Sequence, residues 1–335
     1  MKKYQIAVTS SEEYPVRTDC LRDIFENFAT VDDIKMPFRK LDWKETDTFA
    51  EILMPYDAIL VRSGIFDEKL INKLNNLKII CVHGAGYDQI NIESANKHGI
   101  YVSNVPGANA ISVIELTIGL MLTTVRKLYD SIFTLSYKHD WNTAKINGSE
   151  LYAKKLGVVG FGKIGQGVAQ RALSFGMEIK AYDPYISKQS FSNNHEKLSI
   201  CDDINDLFVD SDILTLHLPL NEETKDIINK KNISKMKSNC ILINTSRGPL
   251  INENDLFEAL VNKKIGGAAL DVFSTEPINS QSKLFDLDNV ILTPHIGGST
   301  NEALERIAKL AGENIYSFLQ TGQVNNLVNS PKATK

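Results

Sequence analysis

LGVVGFGKIG, spanning Leu156–Gly165, is the stretch of this 335-residue chain that decides its fold. A short apolar run leads straight into a glycine turn, and apolar residues at helical spacing follow it. In such a turn Gly160 permits the tight bend, Gly162 lets a pyrophosphate approach the backbone, and Gly165 lets the helix pack against the strand. The pattern predicts a strand–turn–helix unit that binds a dinucleotide, with plain strand-to-helix packing as the alternative.

A carboxylate after the next strand indicates which dinucleotide fits. The run Glu178–Tyr182 ends at Asp183, eighteen positions past Gly165. A carboxylate there accepts hydrogen bonds from both hydroxyls of the adenosine ribose and repels a 2′-phosphate. No arginine follows in the next four residues to offset that repulsion. We therefore expect NAD rather than NADP, the alternative being that Asp183-Pro184 only opens a turn.

Apolar runs and amphipathic segments alternate along nearly the whole chain, which is typical of an α/β fold with parallel sheets. The first series of predicted strands comprises Gln5–Val8, Ala58–Val61, Lys78–Val82 and Tyr101–Ser103. The predicted helices between them lie near Asp19–Phe28, Asp67–Leu74 and Ile92–His98, and one long apolar helix follows from Asn109 to Leu135. The second series comprises six predicted strands at Leu156–Val159, Glu178–Tyr182, Ile213–Leu216, Cys240–Ile243, Ala268–Leu270 and Val290–Leu292. A last helix over Ser299–Leu319 is expected to cross back to the first series.

Composition excludes several classes of function. A net charge of −4 leaves no basic surplus for nucleic acid. The four cysteines lie far apart, so we expect neither a disulfide framework nor a metal site, and a reducing cytoplasm fits. The N-terminal apolar run is short and predicts a first strand, not a signal peptide. The most apolar stretch, Val113–Val125, is too short to span a bilayer, so we expect no membrane role.

Chemistry in doubly wound sheets lies at the carboxyl ends of strands. Arg247 follows one predicted strand, and its guanidinium fork suits a substrate carboxylate, although a surface arginine in a polar turn is the alternative. Among six histidines, His295 is the best placed to exchange a proton near neutral pH. His83 and His217 also follow strands, and each alone is most simply structural.

Ordered motifs across nearly the whole chain resemble the D-specific 2-hydroxyacid dehydrogenase family, particularly its phosphoglycerate dehydrogenase branch. The resemblance rests on several motifs in addition to the glycine turn. These are HLPL (His217–Leu220), NTSRG (Asn244–Gly248), ALDVF (Ala269–Phe273) with Glu276-Pro277, TPHIGG (Thr293–Gly298), VRS (Val61–Ser63), GAGYD (Gly84–Asp88) and NVPGANA (Asn104–Ala110).

The resemblance implies a role for each matching residue. Arg247 binds the substrate carboxylate, His295 is the acid/base, and Glu276 hydrogen-bonds His295, since a neighbouring carboxylate favours the imidazolium. Asp271 contacts the nicotinamide amide, and Arg62 holds a substrate phosphate or only lines the cleft. The implied cofactor site comprises Gly160, Gly162, Lys163, Ile164, Gly165, Asp183, His217, Pro219, Thr245, Ser246, Asp271, His295 and Gly298. The implied substrate site comprises Arg62, Ser63, Gly84, Ala85, Arg247 and His295.

The resemblance also implies how the chain is divided and what it acts on. Residues 1–103 and 297–335 are expected to form a discontinuous substrate-binding domain, and residues 104–296 an NAD-binding Rossmann domain, with the catalytic cleft between them. A homodimer, or a tetramer built from it, is expected, and serine feedback through an extra C-terminal regulatory domain is not. 3-Phosphoglycerate and 3-phosphohydroxypyruvate, the pair used in serine biosynthesis, are the first candidate substrates. Glycerate/hydroxypyruvate and lactate/pyruvate stay open, as does a NAD-sensing, corepressor-like binding protein.

Overall fold

A computed structural model describes residues 4–141, 146–189 and 195–331, and it divides the chain into two compact units. Unit 1 comprises residues 1–109 and 298–335, and unit 2 comprises residues 110–297. Unit 1 is therefore built from both ends of the chain, while unit 2 is one continuous segment. In the described ranges, no helix combines the length and apolar content that a membrane crossing requires.

Strands and helices alternate through both units. The strands are β1 Tyr4–Ser10, β2 Ala29–Lys35, β3 Ala58–Val61, β4 Ile79–Val82, β5 Tyr101–Ser103, β6 Lys155–Val159, β7 Glu178–Tyr182, β8 Leu198–Ile200, β9 Ile213–Leu216, β10 Ile241–Asn244, β11 Gly267–Leu270 and β12 Val290–Leu292. The helices are α1 Asp19–Phe25, α2 Trp43–Leu53, α3 Glu68–Ile71, α4 Ile92–Lys97, α5 Ala110–Val125, α6 Leu128–Ser136, α7 Lys163–Ser174, α8 Asn205–Asp210, α9 Lys230–Ile233, α10 Glu253–Val261 and α11 Asn301–Thr321.

Unit 1 contains a five-stranded parallel sheet in the order β2-β1-β3-β4-β5, the flavodoxin-like arrangement. The central strands β3 and β4 are buried along their whole length, as their unbroken apolar runs require. Helix α11 packs against α1, β3 and β4, and its buried residues Ala303, Ile307, Ala311 and Ile315 form one apolar stripe. The last helix of the chain thus completes the core of the first unit.

The sequence pattern does not predict β2 or α2. In β2 two acids, Asp32 and Asp33, interrupt the apolar alternation, and this is possible because β2 is an edge strand with mostly accessible side chains. In α2 the buried face consists of only Thr46, Ala50 and Leu53, and one of these three residues is polar. A capping box between Asp42 and Glu45 marks the start of α2, and this pair of acids three residues apart is a sequence signal from which the helix start can be predicted.

Unit 2 contains a seven-stranded parallel sheet in the order β12-β11-β10-β9-β6-β7-β8. Strand order reverses between β6 and β9, which creates the crevice where doubly wound sheets bind their ligands. The α/β class with parallel sheets is confirmed, but the prediction of six strands in this series is wrong. The additional strand is β8, whose three residues lie at the sheet edge and are too few to show a period.

The prediction of one helix from Asn109 to Leu135 is also wrong, because α5 and α6 are separate helices. Lys127 lies between them with φ +51°, a left-handed conformation that no helix interior allows. The cause is tertiary: the Ser149 N–H donates to the Val125 carbonyl at 2.9 Å, and the adjacent Gly148 packs against Arg126. No glycine or proline marks this break in the sequence.

Candidate active site and dinucleotide crevice

The glycine turn between β6 and α7 leaves open space where a ligand needs it. Gly160 has φ +90°, and a Cβ on it would lie 2.5 Å from the His217 carbonyl oxygen. A Cβ on Gly165 would lie 2.1 Å from the Gly160 oxygen, so both positions require glycine for packing. Gly162 is different, because a Cβ there would meet nothing within 4 Å. Open space at Gly162 fits the close approach of a pyrophosphate to the backbone.

The start of α7 is suited to an anion. Gly162 is the N-cap and supplies no side chain to satisfy the first N–H groups of the helix, which begins at Lys163 and continues through Ile164. Free N–H groups at a helix N-terminus and the helix dipole both favour negative charge. The turn and helix therefore fit the phosphates of a dinucleotide, as the sequence pattern predicts.

Asp183 follows β7 and joins two turns. One carboxylate oxygen accepts the Phe161 N–H at 2.8 Å, and the other accepts the Tyr185 N–H at 3.0 Å. The carboxylate thus opens a turn, as the alternative interpretation expects, and also holds the glycine turn. Each oxygen keeps a second lone pair, so these bonds leave acceptor capacity for ribose hydroxyls.

The residues after β9 and β10 line the same edge of the sheet. The imidazole Nε2 of His217 lies 3.0 Å from the Thr215 hydroxyl, and its Nδ1 is buried without a partner. Burial lowers the pKa of His217 to about 3, so its ring is neutral. Thr245 is buried and shares a hydrogen bond of 2.9 Å with the Thr117 hydroxyl. Pro219 is exposed, and its carbonyl accepts the Thr224 hydroxyl at 2.7 Å.

A buried amide shapes the turn that carries Arg247. Asn244, at the end of β10, is fully buried; it donates to the Arg247 carbonyl at 2.8 Å and accepts the Ser246 N–H at 3.0 Å. The Arg247 guanidinium donates to the Ser246 carbonyl at 2.7 Å, and the Ser246 hydroxyl donates to the Leu218 carbonyl. Sequence reasoning does not single out Asn244, although an amide ending an apolar strand is a readable signal.

A buried carboxylate holds the loop that carries His295. Asp271, at the end of β11, is 1% exposed and accepts the Thr293 hydroxyl at 2.6 Å, the Ile296 N–H at 2.9 Å and the Gly297 N–H at 2.8 Å. Burial raises the pKa of Asp271, and these three donors oppose that shift. His295 has φ +51°, a strained conformation for a residue with a side chain, and its N–H donates to the Asp271 carbonyl. Asp271 therefore fixes the backbone from which the imidazole projects.

Glu276 and His295, nineteen residues apart in sequence, form a direct pair. The His295 Nδ1 lies 2.6 Å from Glu276 Oε2, while Glu276 Oε1 accepts the Phe273 N–H at 3.0 Å. Burial opposes ionisation of Glu276, but the His295 hydrogen bond and charge, the Phe273 N–H and the Arg247 charge together lower its pKa. An ionised Glu276 keeps the imidazole oriented and favours a proton on Nδ1.

The turn carrying Arg247 is packed directly against the loop carrying Glu276. A Cβ on Gly248 would lie 1.9 Å from the Phe273 carbonyl carbon, so only glycine allows these two loops to meet. The loops after β10, β11 and β12 are therefore in contact one after another. Gly248, next to Arg247, packs against Phe273. Glu276 lies three residues beyond Phe273 and is hydrogen-bonded to His295. These loops place a guanidinium, a carboxylate and an imidazole at one edge of the unit 2 sheet.

The remaining predicted residues belong to unit 1. Arg62 and Ser63 follow β3; the Ser63 hydroxyl is buried and donates to the Met36 carbonyl at 2.7 Å, so it holds its own turn. Gly84 follows β4 with φ +154° and nothing within 4 Å of its Cβ position, and the Ala85 carbonyl accepts an amide hydrogen bond. Gly298 also belongs to unit 1, where its Cβ position lies 3.0 Å from the side chain of Asn109.

Comparison with known proteins relates unit 2 and the chain as a whole to a family. The family model for the NAD-binding domain of D-isomer specific 2-hydroxyacid dehydrogenases matches residues 118–297, which lie within unit 2. The D-3-phosphoglycerate dehydrogenase of Methanocaldococcus jannaschii is 44% identical over 82% of this chain and 52% of its own length. The hydroxypyruvate reductase of Thermotoga maritima is 42% identical over 82% of this chain and 89% of its own length.

A solved structure supports the same assignment. The NAD⁺-bound 3-phosphoglycerate dehydrogenase of Entamoeba histolytica matches 99% of this chain and 100% of its own with a TM-score of 0.80 and 29% identity. The chain belongs to the D-isomer specific 2-hydroxyacid dehydrogenase family. Unit 2 is its NAD-binding domain, and the open position at Gly162 and the uncapped start of α7 fit that cofactor. The chain spans about half the length of the M. jannaschii relative, 52%.

Proposed function

We propose that this protein catalyses hydride transfer between NAD(H) and a small 2-hydroxy acid or its 2-keto partner, with 3-phosphoglycerate and 3-phosphohydroxypyruvate as the substrate pair. The observation that carries this proposal is the 2.6 Å contact between His295 and Glu276 at the edge of the sheet that also bears Arg247. An imidazole with a carboxylate partner and a guanidinium nearby is the set that keto-acid reduction requires.

Arg247, His295 and Glu276 have different roles in the proposed reaction. When bound, the nicotinamide supplies the hydride that adds to C2 of the keto acid, or accepts it in the reverse direction. Arg247 binds the substrate carboxylate through its planar fork of donors. His295 gives a proton to the carbonyl oxygen as that oxygen gains charge, and in the reverse direction removes the proton from the hydroxyl. Glu276 stabilises the imidazolium before the proton leaves and holds the ring in place.

The cofactor is held by residues of unit 2. The N–H groups at the start of α7, with Gly160 and Gly162 before them, bind the pyrophosphate, and Asp183 accepts the ribose hydroxyls. His217, Thr245 and Asp271 complete the proposed cofactor site. Asp271 holds the His295 loop with its carboxylate, so its contact to the nicotinamide amide needs the one lone pair, on Oδ2, that the three loop donors leave.

Unit 1 supplies further substrate-binding groups in this proposal. The Arg62 guanidinium has no carboxylate partner among the described residues, and such a cation suits a phosphate on the far end of the substrate. Gly84 and Ala85 contribute a loop whose backbone is open at Gly84. With a phosphorylated substrate the reaction belongs to serine biosynthesis, and four free cysteine thiols suit the reducing cytoplasm in which we place it.

Hydroxypyruvate reduction is the second candidate. It is favoured by the T. maritima hydroxypyruvate reductase, which matches this chain over 89% of its own length, whereas the phosphoglycerate dehydrogenase of M. jannaschii matches over 52%. A panel of 3-phosphohydroxypyruvate, hydroxypyruvate and pyruvate, each assayed with NADH and NADPH, separates the candidates by kcat/KM. Turnover of none of them would overturn the proposed enzyme and favour a NAD-sensing binding protein.

We further propose that the protein is a homodimer built on α6 of unit 2. That helix has no buried residue, and Leu128, Tyr129, Ile132, Phe133 and Leu135 are all exposed. An apolar patch of this density marks an association surface, and a second copy brings an identical patch to it.

Light scattering after size exclusion tests the dimer. We expect twice the 37.4-kDa chain mass for the wild type and a monomer for Ile132→Asp. Val209→Asp on α8 is the matched control, because Val209 and Ile132 are both 58% exposed. A monomeric wild type, or a dimer that survives Ile132→Asp, would contradict this assignment.

A further inference from the structure

Arg62 is held in a setting that lacks a counter-ion. Its backbone N–H donates to the Thr9 carbonyl at 3.0 Å, which fixes it at the carboxyl end of β3. Its guanidinium lies over the Tyr14 ring at 5.3 Å, and its Nε is buried without a hydrogen-bond partner. Burial lowers the pKa of Arg62, and no carboxylate of the described ranges offsets that effect. A buried donor of this kind costs free energy until a ligand satisfies it.

His83 lies next to Arg62 on the neighbouring strand end. β3 and β4 pair with Val61 opposite Val82, so the two residues follow at the same level, and the His83 N–H donates to the Val61 carbonyl at 2.8 Å. The side chain of His83 is buried, with 3% exposure, and neither ring nitrogen has a hydrogen-bond partner. Burial and the Arg62 charge lower the pKa of His83 to about 3, so the ring is neutral, with one donor and one acceptor.

Both side chains share the face of the sheet that α11 covers. Leu60 and Cys81, two residues earlier on each strand, belong to the core cluster that contains the buried stripe of α11. Because side chains alternate along a strand, Arg62 and His83 point to the same side. The Leu304 carbonyl, in the first turn of α11, is close enough to favour protonation of His83 without reaching hydrogen-bond geometry. The first turn of this 21-residue helix thus lies beside His83.

We propose that His83 is a specificity-determining residue: its neutral imidazole donates a hydrogen bond to a phosphate carried on C3 of the 2-keto acid, while Arg62 provides the opposite charge. The proposal rests on the proposed function, because it names the part of the substrate that unit 1 selects. A phosphate has enough oxygens to satisfy both the guanidinium and the imidazole. In pyruvate C3 is a methyl group and offers no oxygen, so both buried groups stay without partners and the site discriminates against this substrate.

Steady-state kinetics with NADH test the proposal. For His83→Ala we expect kcat/KM for 3-phosphohydroxypyruvate to fall roughly 10- to 100-fold, which is the loss of one hydrogen bond to a charged acceptor. We expect kcat/KM for pyruvate to stay within about threefold, because pyruvate has no group for His83 to contact. His83→Asn keeps an amide donor and is expected to recover part of the loss. His98→Ala, at the end of α4 in the same unit, is the matched control.

A binding measurement separates failure of this proposal from failure of the proposed function. We expect calorimetry to show 3-phosphoglycerate binding that His83→Ala weakens roughly 10- to 100-fold and glycerate binding that it leaves unchanged. If the wild type turns over no keto acid but this binding pattern holds, the proposed function fails and the His83 assignment stands. Equal losses for all acids, no loss, or no 3-phosphoglycerate binding would overturn it. Urea midpoints of His83→Ala and His83→Asn that equal the wild-type midpoint exclude unfolding as the cause of a loss.

Discussion

Replacing Glu276 with glutamine removes the charge beside His295 while keeping the shape of the side chain. Glu276 Oε2 lies 2.6 Å from His295 Nδ1, and a hydrogen bond between charged groups contributes about 1.5–3 kcal/mol. At about 1.4 kcal/mol per factor of ten, the full loss lowers the rate roughly 10- to 150-fold. The His295 side chain is 43% exposed, and solvent screens the pair, so we expect the lower part of that range, roughly 10- to 30-fold.

The assay is kcat for keto-acid reduction with NADH between pH 5 and pH 9. In this direction His295 must carry a proton before it gives one up, and the lowered pKa of Glu276 reflects the mutual stabilisation of its charge and the imidazolium, so Glu276→Gln is expected to lower kcat throughout this range. NADH fluorescence titration checks that cofactor binding is unchanged. Glu222→Gln, which changes an exposed acid on the same unit, is the matched control. A wild-type kcat and pH profile in Glu276→Gln would refute the reasoning.

Three further substitutions test the other assigned groups. His295→Ala is expected to lower kcat by a factor on the order of a hundred to ten thousand while NADH affinity stays nearly constant, and unchanged turnover would remove the acid/base assignment. Arg247→Lys is expected to lower kcat/KM for the keto acid more than it weakens NADH binding, because a point charge cannot replace the fork; an unaltered kcat/KM would argue against it. Asp183→Ala is expected to narrow the preference for NADH over NADPH in kcat/KM, and a wild type that prefers NADPH would contradict our interpretation of β7.

The sequence contains enough information for the class of fold, because parallel strands that are buried on both faces leave unbroken apolar runs. β3, β7, β9 and β12 begin and end at the predicted residues. The glycine turn can also be predicted from the sequence, because Gly160 and Gly165 are positions where any side chain would collide with backbone. Local chemistry determines these features, so local reasoning finds them.

Features that depend on distant parts of the chain cannot be predicted from the local sequence in this way. β8 exists because β7 offers it an edge, and the break at Lys127 exists because the chain returns through Ser149 to the end of α5. The support beneath the candidate site belongs to the same category. A motif points to Asp271, but only the structure reveals that its carboxylate holds the loop of His295. Asn244 supports the turn of Arg247 in the same manner.

The division of the chain has a consequence for synthesis on the ribosome. The core of unit 1 needs Ala303, Ile307 and Ile315, which are made last, to cover strands that are made first. The first 109 residues therefore leave the ribosome with one face of their sheet covered only in part, by α1, and they must stay unaggregated while the whole of unit 2 is translated. Unit 2 is continuous and completes its core earlier, so a chaperone that binds nascent chains would find its target in the opening third of this protein.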